Sequence, residues 1–300
     1  MALSDPLAPD PRGGVAAPGG TGVSDDRGPG RGSHGARPPL STTERVLAVF
    51  SYHAMVYART WRGSIISRLL SPVLFMVSMG IGLGALVDDR AGGIDGRPYL
   101  HFVVPGIVAT QTMWVAWSES SYQVLGYIKW NMGYHAQLAT PLRVRDVLAG
   151  HFLAVTGHLV VATSLFMVVA ALFGGFDSWW AVACLPIGVL TGLAFTTPIF
   201  AFTATQEGDS GFNILYRWII TPLMLFSGTF FPVDQLPGWM QPLAWVTPLW
   251  HGVEACRTVS GGTLGPGGIP AFAGHLLVLL AFAVAGWLLA ERTFTRRLAS

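Results

Sequence analysis

The hydrophobic positions of this chain are gathered into long blocks that contain very few Asp, Glu, Lys or Arg residues. A helix needs about 20 mostly apolar residues to cross the hydrocarbon core of a bilayer, and a helix satisfies its own backbone hydrogen bonds there. We therefore predict an all-α, polytopic membrane protein with six transmembrane helices. These helices are placed at about residues 65–87, 99–121, 148–172, 179–203, 213–231 and 270–290.

The region before the first block has two parts. Residues 1–41 are rich in Gly, Pro, Ala, Asp and Arg and contain no aromatic residue, so they are predicted to be a disordered cytoplasmic tail. Residues 42–62 follow Ser41, which with Glu44 has the spacing of a capping box, and they mix Trp and Arg with apolar residues. We expect an amphipathic helix at the membrane interface, with a plain cytosolic lead-in helix as the alternative. The membrane domain is assigned to residues 42–298.

The segment between the fifth and sixth predicted helices, residues 232–262, is apolar and aromatic but rich in proline. Pro232, Pro237, Pro242 and Pro248 stop any helix of spanning length. We expect two short helices that enter the outer leaflet and return, an external re-entrant hairpin. Irregular backbone at that depth is tolerated only where protein or a water-filled cavity covers it, so the segment should pack against the bundle.

Three polar residues interrupt this apolar segment at regular spacing. If residues 249–259 are helical, His251, Glu254 and Arg257 lie along one edge. We expect this edge to face the aqueous or headgroup zone, with Glu254 paired to Arg257. Anchoring of the re-entrant helix and direct contact with a substrate are both open as roles for the edge.

The distribution of Lys and Arg predicts the orientation of the chain. Segments that flank one side hold eleven of these residues and segments on the other side hold three, and basic residues accumulate on the cytoplasmic side. The larger set is Arg45, Arg59, Arg62, Arg68, Lys129, Arg143, Arg145, Arg217, Arg292, Arg296 and Arg297, and the smaller is Arg90, Arg97 and Arg257. Both termini and the loop at residues 124–147 are therefore expected in the cytoplasm of a multi-pass plasma (inner) membrane protein.

Composition supports the membrane assignment and excludes several functions. The 300 residues are 51% hydrophobic and 11% charged, whereas soluble domains are about 25% charged. The net charge of +2 gives no reason to expect a nucleic-acid partner. The only lysine, Lys129, lies in "YIKWN", so the chain lacks the Gly-Lys-Ser/Thr of a phosphate-binding loop. We expect no ATP hydrolysis and no bound cofactor on this chain.

Cysteine and histidine spacing gives no metal-binding pattern. Cys184 and Cys256 do not form a Cys-x-x-Cys pair, and we interpret both as packing residues. His151 and His158 share a helix face, but no third ligand lies nearby in the sequence, so we predict no metal site.

Few charges lie inside the predicted helices. Arg68 and Glu119 are expected at similar depth near the cytoplasmic face, and a charge there is costly unless paired, so we predict an Arg68–Glu119 ion pair. An ion-coupled carrier usually has buried ionisable groups at its coupling site, which makes that function less favoured. A membrane-embedded lipid-modifying enzyme is also disfavoured, because the external carboxylates are scattered.

Two stretches carry a resemblance to a known family. The sequences "LFSGTFFPVDQLP" and "TPLWHGVEACR" resemble the signature of type-2 ABC exporter permeases. Within that family the chain looks most like the nodulation-factor, or lipooligosaccharide, exporter permeases, and next like daunorubicin-type drug-efflux permeases. The matching positions are Ser227, Gly228, Phe231, Pro232, Leu236, Pro237, Pro248, Leu249, His251 and Arg257, with Glu254 in the same segment.

The resemblance implies a homodimer of permeases, each docked on a cytosolic ABC ATPase that binds ATP and Mg. Docking would use the cytoplasmic coupling loop at residues 124–147, where "ATPLRVRDVLAG" resembles the family's Thr-Pro-Leu turn. The positions assigned to the contact are His135, Gln137, Thr140, Pro141 and Leu142. Proline fixes its own φ and restricts the residue before it, which suits a rigid turn that receives force. Without the resemblance, the residues themselves favour an ordinary helix stop. His135 and Gln137 stand where family members often have an acidic residue, so the contact differs in detail.

The function implied by the resemblance is ATP-driven export of an amphiphilic substrate, such as a lipooligosaccharide or another glycolipid. Drug or antibiotic efflux, and hence antibiotic resistance, is the alternative within the same fold. Both kinds of cargo are amphiphilic, so the sequence does not separate them.

Overall fold

The structure is a computed structural model that describes residues 40–94, 96–262 and 267–298. The side chains of residues 60–69, 71–72, 80–81 and 91 lie outside this description, as do residues 1–39 of the predicted tail. Within the described ranges the chain forms helices and no strand, and a single isolated bridge pairs Ile94 with Arg97. The predicted all-α fold is confirmed.

The described residues form twelve α-helices joined by short turns and by π- and 3₁₀-helical segments. The α-helices are α1 Thr42–Met76, α2 Ala85–Ala91, α3 Tyr99–Ser120, α4 Tyr122–Leu125, α5 Gly133–Leu138, α6 Val144–Leu172, α7 Cys184–Thr203, α8 Ser210–Leu215, α9 Thr221–Phe226, α10 Gln241–Trp245, α11 Pro248–Ser260 and α12 Gly268–Leu298. The π segments are Val77–Gly84, Gly126–Trp130 and Tyr216–Ile220, and the 3₁₀ segments are Trp179–Ala183 and Val233–Gln235.

The first helical run begins as the sequence predicts. The Ser41 hydroxyl accepts a hydrogen bond from the Glu44 N–H at 3.3 Å, and the Glu44 carboxylate accepts one from the Ser41 N–H at 2.7 Å. This capping box starts α1. The run continues through the π segment to α2 and ends at Gly92, whose φ of 68° suits glycine. The predicted interface helix and first transmembrane helix are thus one continuous run, because no helix stop separates them.

Helix α7 lies at the centre of the bundle, in contact with α3, α6, α11 and α12, and α1 packs along α6. The bundle has two ends. At the end called here the α5 end, α3 and α7 finish together, and the Thr203 hydroxyl donates to the Ser120 carbonyl at 2.8 Å. At the α11 end, α7 begins beside α11, and the Cys184 thiol donates to the Cys256 carbonyl at 3.4 Å. Both cysteines are buried and unpaired, consistent with packing residues.

Glycines allow close approach between helices of the bundle. A Cβ on Gly150 of α6 would lie 2.5 Å from the Val49 Cβ of α1, and one on Gly286 of α12 would lie 2.6 Å from the Pro198 nitrogen of α7. Small residues at such contacts let helix backbones pack tightly inside a membrane. The α1–α6 and α7–α12 contacts therefore both depend on a glycine, which has no side chain to separate the helices.

Three helices in the described part of the chain are long and apolar enough to cross a membrane: Val144–Leu172, Trp179–Thr203 and Gly268–Leu298. They coincide with the third, fourth and sixth predicted transmembrane helices. α3 coincides with the predicted second helix to within one residue. The predicted fifth helix, 213–231, is divided by a π segment and ends at Phe226, because Gly228 leaves helical geometry with a φ of 80°.

Candidate functional site

The predicted coupling loop, residues 124–147, is mostly helical. It contains the end of α4, the π segment Gly126–Trp130, α5 and the start of α6. Val124, Leu125, Ile128 and Tyr134 are buried against the bundle, and burial of backbone favours internally hydrogen-bonded structure. The segment is therefore fastened to the membrane helices along much of its length.

Helix α5 has one buried and one exposed face. Tyr134 is 0% exposed, and its hydroxyl lies 2.6 Å from the His151 Nδ1 atom of α6. His135 is on the exposed face. Gln137 is partly buried, and neither its amide nitrogen nor its amide oxygen finds a hydrogen-bond partner within the described residues. A buried polar group without a partner is costly, so this amide can still accept and donate hydrogen bonds to a further group.

The turn that follows α5 contains two hydrogen bonds. The Thr140 hydroxyl donates to the Gln137 carbonyl at 2.6 Å, and the Leu142 N–H donates to the Thr140 carbonyl at 2.7 Å, across Pro141. Thr140 and Pro141 are exposed, whereas Leu142 packs against the core. The five predicted contact residues therefore form one short surface element at the α5 end.

An ionic contact ties this region to the C-terminal helix. Glu207, in the turn after α7, accepts hydrogen bonds from Arg297 and from Lys129, the latter with an Nζ–Oε2 distance of 3.0 Å. The bond from Arg297, and then that from Lys129, lower the pKa of Glu207 to about 2. The pKa is lower than in an unfolded chain, so the stabilisation is complete above the ordinary Glu pKa and is lost as pH falls toward 2.

Glu207→Gln is expected to lower the melting temperature of the detergent-solubilised protein at neutral pH and low salt, with a smaller difference at high salt because exposed charges are screened. The loss should disappear in acid, where Glu207 is protonated in the wild type as well. Asp209→Asn is the matched control, since Asp209 makes no ion pair within the described residues. Equal melting shifts for the two variants would contradict the assignment.

Buried ionisable side chains lie between α1, α3 and α6. Glu119 of α3 is buried and lies 3.1 Å from the His158 Nδ1 atom of α6. His151 stacks on His53 of α1, with 4.1 Å between ring centroids. The Arg68 side chain is outside the described part of the structure, so the Arg68–Glu119 pair stays a prediction. The His158 and His53 contacts were not predicted, although the apolar surroundings of both histidines in the sequence pointed to burial.

No group of three or more His, Cys, Asp or Glu side chains suited to a metal ion occurs among the residues that the structure describes.

Residues 232–262, predicted to be re-entrant, contain two short α-helices as expected, and α11 packs against α3, α7 and α12. The Thr247 hydroxyl accepts from the Trp250 N–H at 3.3 Å and caps α11. His251, Glu254 and Arg257 lie along one edge of this helix, and the Glu254–Arg257 pair is confirmed at 3.0 Å. His251 contacts His275 of α12, with 2.8 Å between their Nδ1 atoms.

The prediction that this whole edge faces water is wrong for Arg257, whose side chain is 14% exposed. Its guanidinium lies 3.7 Å above the Phe102 ring and donates to the backbone carbonyls of Phe102, Gly228 and Thr229. The carbonyls of Gly228 and Thr229 follow the end of α9 and have no helical partner, so they need a donor. Arg257 supplies it because its fork of N–H groups can reach several acceptors.

The other residues of the family motif form the turns on which α11 rests. Ser227 is buried, with its hydroxyl 3.2 Å from the Thr247 hydroxyl. Pro232 precedes the 3₁₀ segment, Pro237 lies in an exposed turn, and Pro248 is the first residue of α11, where a proline costs no hydrogen bond. These residues act together in fixing α11 against the bundle.

A cavity of about 500 Å³ opens beside α11. Its walls are Ile94, Arg97, His101, Phe102, Pro232, Val233, Asp234, Trp245, Trp250, Glu254, Arg257, Thr258 and Gly261. Its basic groups face carboxylates: Arg257 pairs with Glu254, and Arg97 lies 3.7 Å from Asp177. Its volume is within the range of ligand pockets, about 300–1,000 Å³. Aromatic rings beside polar and charged side chains can contact a ligand that has both flat apolar faces and hydroxyl or amide groups.

Comparison with known proteins gives the family. The family model described as "ABC-2 type transporter" matches residues 44–259. Nodulation protein J of Sinorhizobium fredii (strain NBRC 101917 / NGR234) is 33% identical over 255 residues, which is 85% of this chain and 94% of that protein. Nodulation protein J of Rhizobium leguminosarum bv. viciae is 31% identical over 84% of this chain and 94% of its own length. The inner membrane transport permease YadH of Escherichia coli (strain K12) is 24% identical over 79% of this chain and 90% of its own length. The chain belongs to the ABC-2 type transporter family.

Proposed function

We propose that this ABC-2 permease works as a homodimer in the plasma (inner) membrane and is driven by ATP hydrolysis on separate cytosolic ABC ATPase subunits. The run from α1 to α2, the run from α8 to α9, and helices α3, α6, α7 and α12 would be its six transmembrane segments. The run from α1 to α2, helix α3 and the run from α8 to α9 are not among the three long apolar helices described above. They cross the same bundle between its two ends, which supports their assignment.

The observation that carries this proposal is the shape of α5 and the turn after it. One face is anchored by the buried Tyr134, while His135, Thr140 and Pro141 present an exposed surface. Gln137 adds an amide without a partner in the described structure. A surface element that is free on one side and fixed to the membrane helices on the other can receive force from a motor protein and transmit it.

The orientation is supported by the side chains at each end of the bundle. The α5 end carries most of the described basic residues, and we place it in the cytoplasm together with both termini. The basic residues there include Arg45, Lys129, Arg143, Arg145 and Arg297. The α11 end, with the cavity, would then face outward.

The cargo that we favour is an amphiphile with a saccharide head group, a lipooligosaccharide or another glycolipid. The cavity beside α11 supports this choice because its walls include Trp245 and Trp250 beside polar side chains, among them the paired Arg257 and Glu254. Aromatic rings provide apolar faces for flat ligands. Drug or antibiotic efflux is the alternative, favoured by the apolar part of the same lining.

The test is to purify the tagged chain from its native membranes, identify the ABC ATPase that copurifies, and reconstitute both in vesicles. A fluorescent N-acylated tetrasaccharide and daunorubicin serve as separate transport probes. We expect ATP-dependent movement of the tetrasaccharide and little movement of daunorubicin; the reverse result would establish drug efflux instead. Transport by the permease without the ATPase would overturn the proposal.

The docking surface is tested in the same preparation. Ala139→Arg places a long charged side chain on the exposed surface after α5, and we expect the amount of copurified ATPase to fall by about tenfold, the effect of losing about 1.4 kcal/mol. Gln235→Arg, exposed beside the cavity, is the control and should leave copurification unchanged. Unchanged copurification with Ala139→Arg would place the contact elsewhere.

A further inference from the structure

The single fully buried side chain of α5, that of Tyr134, lies at a junction of several helices. Its hydroxyl contacts His151 of α6, and its ring meets the Phe294 ring of α12 edge-on, with 5.6 Å between centroids. Burial raises the pKa of the Tyr134 hydroxyl well above its ordinary value. The hydroxyl therefore keeps its proton at neutral pH, and it shares a hydrogen bond with the His151 Nδ1 atom, 2.6 Å away.

The His151 ring extends this contact to other helices. It stacks on His53 of α1 with an interplanar angle of 18°. It also meets the Phe200 ring of α7 edge-on, with 5.2 Å between centroids. A displacement of this imidazole would therefore be felt by α1 and α7 as well as by its own helix α6, because packed rings in a dense interior have no room to move independently.

The backbone has a constrained conformation on both sides of α5. Met132, immediately before the helix, has a φ of 49°, a left-handed conformation that residues with a side chain rarely adopt. The rigid turn at Pro141 follows the helix. Strained residues of this kind persist where the surrounding structure holds them and are concentrated at moving or functional segments. Helix α5 is thus a short element with one buried polar contact to the membrane helices, that between Tyr134 and His151.

We propose that the Tyr134–His151 hydrogen bond is the positioning contact through which movement of α5 reaches the membrane helices α6 and α1. The inference rests on the proposed docking of an ATPase at α5 and adds to it the residues that pass the movement inward. Neither residue touches the transported molecule in this scheme. Their role is to keep α5 and the His53–His151 stack moving as one unit.

Tyr134→Phe tests this directly, because it retains the ring and removes the hydroxyl. In the reconstituted complex with its copurified ATPase and the fluorescent tetrasaccharide, we expect assembly and basal ATP hydrolysis to remain. The amount of probe transported per ATP should fall about fivefold or more, the scale of a typical coupling between sites. Tyr127→Phe is the matched control. The Tyr127 ring packs on the rings of Tyr134 and His151, and its hydroxyl makes no hydrogen bond within the described residues.

A purely structural role predicts a different result. Loss of packing would lower the melting temperature and the yield of complex, and would reduce hydrolysis and transport in proportion, leaving their ratio unchanged. That unchanged ratio would overturn the inference. Transport that fails in the wild-type complex would overturn the proposed function and this inference together, whereas normal coupling in Tyr134→Phe beside an active wild type would overturn this inference alone.

His151 provides a second route if Tyr134→Phe does not assemble. His151→Gln retains a hydrogen-bond acceptor and is expected to keep most of the coupling ratio, while His151→Phe is expected to lose it. Where all variants assemble, Tyr134→Phe and the Tyr134→Phe, His151→Phe double variant should have the same ratio, since both remove one shared contact. Independent, multiplying losses would contradict the proposal, as would equal ratios for His151→Gln and His151→Phe.

Discussion

Gly150→Leu is expected to prevent stable assembly of the bundle. Any Cβ at position 150 would lie 2.5 Å from the Val49 Cβ and 2.9 Å from the Val46 carbonyl oxygen. A backbone oxygen cannot move aside without displacing α1. Overpacking of an interior costs about 1–3 kcal/mol, and a leucine at a helix crossing should exceed that range, so we expect little monodisperse protein and a lowered melting temperature.

Gly157→Leu is the control for this prediction. Gly157 lies on the same helix, α6, and a Cβ there would meet no atom within 4 Å. The two substitutions therefore share any general effect of replacing glycine in a helix, and they differ in whether a neighbour occupies the space. Size-exclusion profiles and thermal melting in detergent compare them. Similar behaviour of both variants would show that the α1–α6 contact is not as tight as described.

Arg257→Met is expected to cost about 1–3 kcal/mol of stability, the range for leaving a buried polar group without its partner. It would leave the Glu254 carboxylate unpaired and the carbonyls of Phe102, Gly228 and Thr229 without their donor. The turn after α9 and the part of α3 that carries Phe102 would no longer be joined by the Arg257 side chain. Thermal unfolding of the detergent-solubilised protein measures the loss.

Arg97→Met is the comparison, since Arg97 belongs to the same cavity but its side chain is 50% exposed and its nearest carboxylate atom is 3.7 Å away. Exposed ion pairs contribute about 0–1 kcal/mol, so Arg97→Met should change stability little. A loss for Arg257→Met no larger than that for Arg97→Met would mean that the carbonyl contacts are not stabilising.

Features that depend on neighbouring residues in the sequence were predictable. The capping box of Ser41 and Glu44 involves positions three apart, as does the Glu254–Arg257 pair on α11. The length of each apolar block predicted α3, α6 and α7 to within about five residues, whereas α12 continues beyond the predicted end at residue 290 to Leu298. In each case the physical cause lies within one helical turn or within one continuous hydrophobic run.

Features that depend on distant partners could not be predicted. Arg257 bonds to the carbonyl of Phe102, 155 positions away, and to carbonyls exposed by the end of α9. Backbone acceptors have no residue-type signature, so a sequence shows only a charged residue and a possible carboxylate beside it. The same limit applies to Tyr134 and His151, which are 17 positions apart on different helices.

The coupling segment illustrates a second limit. Its mixture of Gly, Asn, Pro and charged residues does not indicate helices, and no helix was predicted inside it. Local preference was overridden by burial of Tyr134 and Ile128, which stabilises helical turns that would be marginal in water. The distinction matters for function, because a fixed helix can transmit a displacement that a slack loop would absorb.

The burial of both native thiols has a practical consequence for experiments on sidedness. Cys184 and Cys256 are each 0% exposed in the described structure, so a membrane-impermeant maleimide would find no accessible sulfur on the folded wild-type chain. Cysteines introduced one at a time, at Ala139 or at Gln235 for instance, would therefore report which compartment each end of the bundle meets without any prior removal of the native pair.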